Sequence, residues 1–454
     1  MFERYRVIHF VGIGGIGMSG IAEVLHNLGY DITGSDLKES SNTRRLREMG
    51  IKVFIGHNAA NVDSAHVVVV SSAVKEDNPE VVEATRRSIP VIPRAEMLAE
   101  LGRLKYSILV AGSHGKTTTT SLISSILSNS GIDPTVVIGG RLKSTGSNVR
   151  LGQGEFLVAE ADESDGSFLK LSPTIALATN VDREHMDFFK TMDSLYAAFR
   201  EFLNKVPFYG VSVVCYEDVF LRNMISDIRR KHITYGFSKN ADIRADNIKS
   251  EGLGTRFNLI VDGDLRGELF VPVIGKHNVL NCLGAIAVAL ELHVDFNGIM
   301  EGLSTFTGIH RRFEFKGEVG GIKVYDDYGH HPTELRATIG AIRDAFDGRI
   351  VVVFQPHRYS RTRDLFGEFL VSFDGVDALY LMDIYPAGEA PVEGVSSERL
   401  SDGLKDKVGC VKYIKDRDFL IEELGRMLHE GDLLLTLGAG DVWKIGEDLL
   451  RRGE

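Results

Sequence analysis

Cysteine, proline and tryptophan are scarce in this chain of 454 residues, which holds 3, 11 and 1 of them. Cys215, Cys282 and Cys410 are odd in number, far apart and in no C-x-x-C spacing, which argues against a disulfide framework or a zinc site and fits a reducing, cytoplasmic compartment. No apolar run approaches the ~18 residues needed to cross a bilayer. The nearest, Val279–Val294, is broken by Asn281, Glu291 and His293. Arg4 and Arg6 before the apolar Val7–Val11 faintly resemble a secretory signal, but His9 and then four glycines interrupt it, so the segment reads as a strand running into a loop. Positive charge is short as well. Lys and Arg total 52 against 63 Asp and Glu, a net charge of −11, so the chain lacks the basic footprint of a nucleic-acid binder and must meet anionic ligands with local devices. Pro- or Ser-rich linkers, internal repeats and low-complexity tracts are also missing, which leaves domain boundaries unmarked by composition.

Glycine, by contrast, is plentiful at 48 residues, above the ~7% average, which suggests backbone brought close to something. The length is about three times the ~150-residue domain prior, and the pattern restarts twice. Short apolar runs alternate with amphipathic stretches at Val7–Val11, Asp31–Gly34, Val67–Val70 and Val91–Ile92; again at Tyr106–Ala111, Phe156–Ala159 and Ile175–Ala178; and again at Ile350–Phe354, Ala378–Leu381 and Leu433–Leu437. That predicts an α/β chain of three domains, 1–104, 105–309 and 310–454, each with a mainly parallel sheet flanked by helices. A polar, alternating patch over 241–267 reads as antiparallel instead.

Two glycine loops follow predicted strands. Gly12-Ile13-Gly14-Gly15-Ile16-Gly17 fits G-x-G-x-x-G, with Asp36 ending the next strand about 20 residues on. Such a loop brings backbone amides at a helix N-terminus against a diphosphate. It suits NAD, another diphosphate or a structural turn, and the motif does not choose among them. Gly112-Ser113-His114-Gly115-Lys116-Thr117-Thr118 resembles a phosphate loop shorter than the standard one, since Val110 stands where the strict pattern has glycine. There Lys116 would reach the β- and γ-phosphates and the Thr117 hydroxyl a Mg²⁺. Metal-binding acids belong at the carboxyl ends of neighbouring strands. Glu160-Ala161-Asp162-Glu163 follows one such strand, and Asp182-Arg183-Glu184-His185-Met186-Asp187 follows another. Glu160 and His185 are taken as the metal ligands, and most of the remaining acids as solvated loop residues.

The blocks Gly112–Thr120, Glu160–Asp165, Asn180–Asp187, Gly275–Asn281 and His310–Phe313 together resemble the Mur ligases of bacterial peptidoglycan synthesis. Val11–Gly20, Asp326–Glu334 and Gln355–Thr362 are similar to the members that join L-alanine to UDP-N-acetylmuramate, and the likeness spans essentially the whole chain. It implies a UDP-sugar domain, a central ATPase and a C-terminal Rossmann-like domain for the amino acid, with ATP and Mg²⁺ required. Lys116, Glu160, His185 and Arg311 would be catalytic, and Thr117, Glu160 and His185 would ligate the metal. Gly112, Ser113, His114, Gly115, Lys116, Thr117, Thr118, His277, Asn281 and Arg311 would bind ATP, with His277 and Asn281 on the adenine. Gly14, Gly15, Gly17, Asp36, His57 and Ser72 would hold the UDP-sugar, and Tyr328, His330, Arg358 and Arg361 the alanine. Read without that likeness, His57 is a solvated loop residue and His331 and His357 pack beside prolines. One departure stands out: ligases of later steps carry a carbamylated lysine about fifteen residues past the metal histidine, and that register falls here on Phe199. A recycling ligase that attaches a tripeptide to the same nucleotide is the near alternative; a nicotinamide oxidoreductase or a non-catalytic nucleotide-binding regulator is the remote one.

Overall fold

The computed structural model describes residues 6–71, 73–103, 105–139 and 149–453. Among them three sheets form. The first contains β1 (Val7–Val11), β2 (Asp31–Asp36), β3 (Lys52–Ile55), β4 (Val67–Val70) and β5 (Val91–Pro93) in the order β3-β2-β1-β4-β5, every pair parallel. The order reverses at β1, so the first glycine loop leaves the sheet where an open parallel sheet has its crevice.

The second contains β6 (Tyr106–Ala111), β7 (Thr135–Val137), β8 (Val149–Arg150), β9 (Phe156–Glu160), β10 (Ile175–Ala178), β11 (Val211–Cys215), β12 (His232–Gly236), β13 (Ile243–Glu251), β14 (Gly254–Val261) and β15 (Asp264–Val271). Its order is β15-β14-β13-β12-β11-β10-β6-β9-β7-β8. The central β6 pairs in parallel with β9 on one side and β10 on the other, which sets both acid-bearing loops beside the phosphate loop. Two-residue turns join β13 to β14 and β14 to β15, and only antiparallel neighbours allow such short links. At the second turn Asp262 and Gly263 both have positive φ, as a tight hairpin requires.

The third sheet contains β16 (Glu314–Val319), β17 (Ile322–Asp327), β18 (Ile350–Phe354), β19 (Ala378–Leu381), β20 (Val411–Tyr413) and β21 (Leu433–Leu437), ordered β16-β17-β21-β18-β19-β20. Only its edge strand β16 is antiparallel. Two apolar clusters cover its faces, one around Leu335, Ile339, Phe354 and Phe369, the other around Val351, Val353, Leu420 and Ile445. Parallel strands buried on both faces read as continuous apolar runs, which is why these strands were visible in the sequence. By packing, the first sheet and most of the second belong to one compact unit. The third belongs to a second unit that also takes in Ile248–Arg256 and Pro272–His277. No helix among the described residues is long and apolar enough to cross a membrane.

The helix Met192–Asn204 shows how tightly the central domain is filled. Thr191 caps it by accepting from Ser194 N at 3.2 Å, and its inward stripe is Leu195, Ala198, Phe199 and Phe202. Phe199 is fully buried, its ring 5.5 Å from that of Phe168, which in turn stacks on Phe202 at 5.3 Å. Phe199→Ala should cost about 3–5 kcal/mol, read as a lowered denaturation midpoint of the unit containing the first sheet and most of the second.

Candidate functional site

The phosphate loop begins where β6 ends. Gly112 has φ +141°, and a Cβ there would collide with the Thr179 hydroxyl, so this position admits only glycine. The loop is stitched to the exit of β10. Ser113 N donates to Asn180 O (3.1 Å) and His114 N to Asn180 Oδ1 (2.9 Å), while Thr179 Oγ1 and Asn180 Nδ2 both donate to His114 O, at 2.6 and 2.9 Å. Lys116, first residue of the helix Lys116–Asn129, folds its ammonium back into the loop. Nζ donates to the Gly112 carbonyl and to both Glu163 oxygens at 2.9 Å each. Burial opposes a charge on this lysine, but the Glu163, Asp162 and Glu160 carboxylates prevail and hold its pKa above the ordinary value. Thr117 and Thr118 stand half-buried in the same turn. Asn281 braces the loop from the helix Lys276–Glu291. Its Oδ1 accepts from Thr119 Oγ1 at 3.2 Å and would lie 2.5 Å from a Cβ on Gly115.

The acids divide differently from the expectation. Glu163, three residues past β9, is 1% exposed at its side chain; its Oε1 lies 3.9 Å from His185 Nε2, which is 3.8 Å from Glu184 Oε2. Ligand atoms of Glu163, Glu184 and His185 lie within 4.8 Å of one another. Two carboxylates and an imidazole form a donor set that a hard divalent cation accepts. His185 adopts φ +57°, unusual for a residue other than glycine and common at functional sites. Glu160, at the end of β9, accepts from Gly139 N at 2.7 Å and its charge also acts on Lys116. The acids nearest His185 are thus Glu163 and Glu184, two loop carboxylates that are buried rather than solvated.

In the first domain the glycine loop is held by the residue expected to read the ligand. Gly14 N donates to Asp36 Oδ2 at 2.8 Å and Asn42 Nδ2 donates to Gly14 O at 2.8 Å, while Gly15 caps the helix Ile16–Asn27, with Gly17 in its first turn. Ser72 lies outside the described residues. His57 is no free loop residue: its Nδ1 is 3.0 Å from Ser35 Oγ and 3.2 Å from Glu80 Oε2. Glu80, fully buried, also accepts from Ser35 Oγ (2.5 Å), Asn61 Nδ2 (2.5 Å) and Asn58 N (3.3 Å), with His9 Nε2 at 3.7 Å. Burial would raise its pKa, but the nearby His9 ring with its charge and the bonds from Ser35 and Asn61 bring it down to about 2.

In the second unit an aromatic and cationic cluster sits at the ends of β17 and β18. Tyr328 N donates to Arg311 O at 2.7 Å, and the His330 ring lies 5.5 Å from Tyr328 and 5.7 Å from His357. His357 stacks on Tyr385 at 5.5 Å and 7°, and Arg361 Nη1 is 3.4 Å from its Nδ1. Burial, then His330, Arg361 and Arg358, push the His357 imidazole down to about 3, so it is neutral near pH 7. Exposed Arg358 has φ +71°. Arg311 does not project a free cation. Its Nε donates to Asp326 Oδ2 (3.0 Å), its Nη atoms to the carbonyls of Gly440 (3.1 Å) and Gly438 (2.5 Å), and it lies 4.9 Å over the Tyr328 ring. These bonds clamp the loop after β21. Burial, then the Arg312 charge, lower the pKa of His277 to about 4.

Three family models match in sequence order: the Mur ligase family catalytic domain over residues 7–106, the Mur ligase middle domain over 110–289, and the Mur ligase glutamate ligase domain over 311–440. The chain belongs to the Mur ligase family. A UDP-N-acetylmuramate–L-alanine ligase of Geobacter sp. (strain M21) is 57% identical, the match covering 100% of this chain and 98% of that one. The enzyme of the same name from Geobacter sulfurreducens is 55% identical over 100% and 99%. The crystal structure of the UDP-N-acetylmuramate–alanine ligase of Thermotoga maritima superposes with a TM-score of 0.83 at 30% identity, covering 98% of each chain. A murein peptide ligase from Psychrobacter arcticus shares the fold, with a TM-score of 0.71 at 24% identity over 98% of each chain.

This Mur ligase thus carries three residue clusters, of which the sequence named most members but missed Glu163, Glu184, Glu80, His357 and Tyr385. For Glu163 a signal existed: the turn at Gly166, whose N donates to Glu163 O at 2.9 Å, folds the loop back on itself. Glu80 yields a pH prediction. Its folded pKa lies below its unfolded one, so its stabilisation is full above pH 4.5 and is lost as pH falls toward 2. The shift corresponds to roughly 3 kcal/mol. Glu80→Gln should lower stability at pH 7 by about that amount and flatten the acid limb of the melting temperature between pH 4.5 and 2. An unchanged acid limb would contradict an ionised Glu80.

Proposed function

We infer that the chain joins L-alanine to the lactyl carboxylate of UDP-N-acetylmuramate in peptidoglycan synthesis, converting ATP to ADP and phosphate. The observation that carries this is the Lys116 ammonium bonded to Glu163, which in turn faces His185 beside Glu184, in a chain that aligns end to end with alanine ligases. A carboxylate does not condense with an amine at neutral pH because hydroxide would have to leave. ATP solves that by making phosphate the leaving group. A carboxylate oxygen attacks the γ-phosphorus and ADP departs. The uncharged amine of alanine then attacks the acyl carbon, loses a proton, and phosphate leaves. Lys116 meets the phosphate charge, and the amides from Gly112 to Thr118 cradle it.

Glu163, Glu184 and His185, with Thr117 nearby in the loop helix, would hold Mg²⁺, which neutralises charge on the transferring phosphoryl group. Gly14, Gly15, Gly17, Asp36 and His57 take the UDP-sugar in the domain 1–104. The ATPase domain is 105–309. Tyr328, His330, Arg358 and Arg361 take alanine in the domain 310–454, where a guanidinium can bind the free amino acid's carboxylate bidentately. Burial, His330 and the charges of Arg361 and Arg358 keep the His357 imidazole neutral, so it adds no cation beside them. The setting we infer is the cytoplasm.

Incubating the protein with UDP-N-acetylmuramate, Mg-ATP and either alanine or tripeptide should release phosphate with alanine; release with tripeptide alone would instead assign the recycling reaction. Lys116→Met should lower kcat on the order of 10³-fold while UDP-N-acetylmuramate still binds in calorimetry. Unchanged turnover would remove Lys116 from the phosphate loop's chemistry.

A further inference from the structure

Arg94 opens the helix Arg94–Arg103, directly after β5. Its side chain lies on Gly17. A Cβ at Gly17 would overlap Arg94 Nη1 and stand 3.3 Å from its Cζ, so the missing side chain is what seats the guanidinium over the first turn of the helix Ile16–Asn27. On its other side Nη2 lies 3.5 Å from Asp162 Oδ2, the acid that directly precedes Glu163. Burial raises the Asp162 pKa, but the Lys116 ammonium, bonds from Ser164 and the Arg94 charge together hold it below the ordinary value. A half-buried guanidinium therefore stands between the glycine loop of the first domain and the acids beside Lys116. At 3.5 Å the contact is looser than a bidentate guanidinium–carboxylate pair.

We propose that Arg94 is the specificity residue that receives the reacting carboxylate of the sugar nucleotide, with Asp162 holding the guanidinium in position until that carboxylate replaces it. The proposal rests on the UDP-sugar reading of the first domain. For phosphoryl transfer a carboxylate must approach a polyanion, and a cation on its flank offsets the repulsion. Arginine suits the task because it stays charged, gives up no proton to the carboxylate and matches its geometry with two parallel donors.

The test is calorimetric binding of UDP-N-acetylmuramate and of UDP-N-acetylglucosamine, which lacks the lactyl carboxylate, to the full chain and to its Arg94→Met and Arg94→Lys variants, with ADP as a control for folding. Arg94→Met should weaken UDP-N-acetylmuramate about tenfold or more, leave UDP-N-acetylglucosamine within about twofold, and leave ADP unchanged; Arg94→Lys should fall between. Equal weakening of both sugar nucleotides would reassign Arg94 to the diphosphate and overturn the proposal, as would no weakening of either. If the Met variant loses ADP binding, the Lys variant decides on the same terms: selective weakening supports the proposal and parity with the parent chain overturns it. A parent chain that binds ADP but neither sugar nucleotide would remove the UDP-sugar reading and this proposal together, whereas a failure confined to the variants removes this proposal alone.

Discussion

The central domain is organised around a buried ammonium held among carboxylates. Taking Lys116 and Glu163 out of water is costly and is offset only by close, well-directed contacts. The contacts here are of that kind, with both Glu163 oxygens at 2.9 Å and the loop carbonyl of Gly112 closing the shell. Because Glu163 also faces His185, one carboxylate ties the phosphate loop to the ends of two different strands. The parallel pairing of β6 with β9 and β10 makes that possible, since it delivers all three loops to the same edge of the sheet.

The first domain uses the same physics with the signs exchanged. Glu80 is a buried anion whose neighbours are donors from β1, β2 and the segment after β3, and it fixes Ser35 and His57 beside the glycine loop. In the C-terminal unit Arg311 is the buried-side cation, clamped by Asp326 and two loop carbonyls. Each domain thus anchors its functional loops on one charge whose hydrogen-bonding partners come from distant parts of the chain. An acidic protein of net charge −11 can hold anionic nucleotides because such cations and amides are concentrated at strand ends.

Strand positions were legible because strands buried on both faces must be apolar throughout, and Val7–Val11, Ile350–Phe354 and Leu433–Leu437 fall where their runs predict. The glycine loops were legible because their spacing is a geometric requirement of the turn. Which acid in a loop is buried was not. Glu160 and Glu163 differ by three residues, and only the path of the loop decides that one faces the Gly139 amide and the other the lysine. The Glu80 network was invisible because residues 9, 35, 57, 58, 61 and 80 carry no common spacing; folding alone brings them together. Arg311 could be placed at the domain junction from sequence, but its partners at 326, 438 and 440 could not.

By the resemblance, Phe199 falls in the register where ligases of later steps carry a lysine modified by carbon dioxide. A carbamate is a reversible adduct, present only as far as dissolved gas and pH allow. Here that register is filled by a ring sealed among Phe168 and Phe202, with no amine to react. A ring at that position takes up no carbon dioxide, whatever the bicarbonate around it.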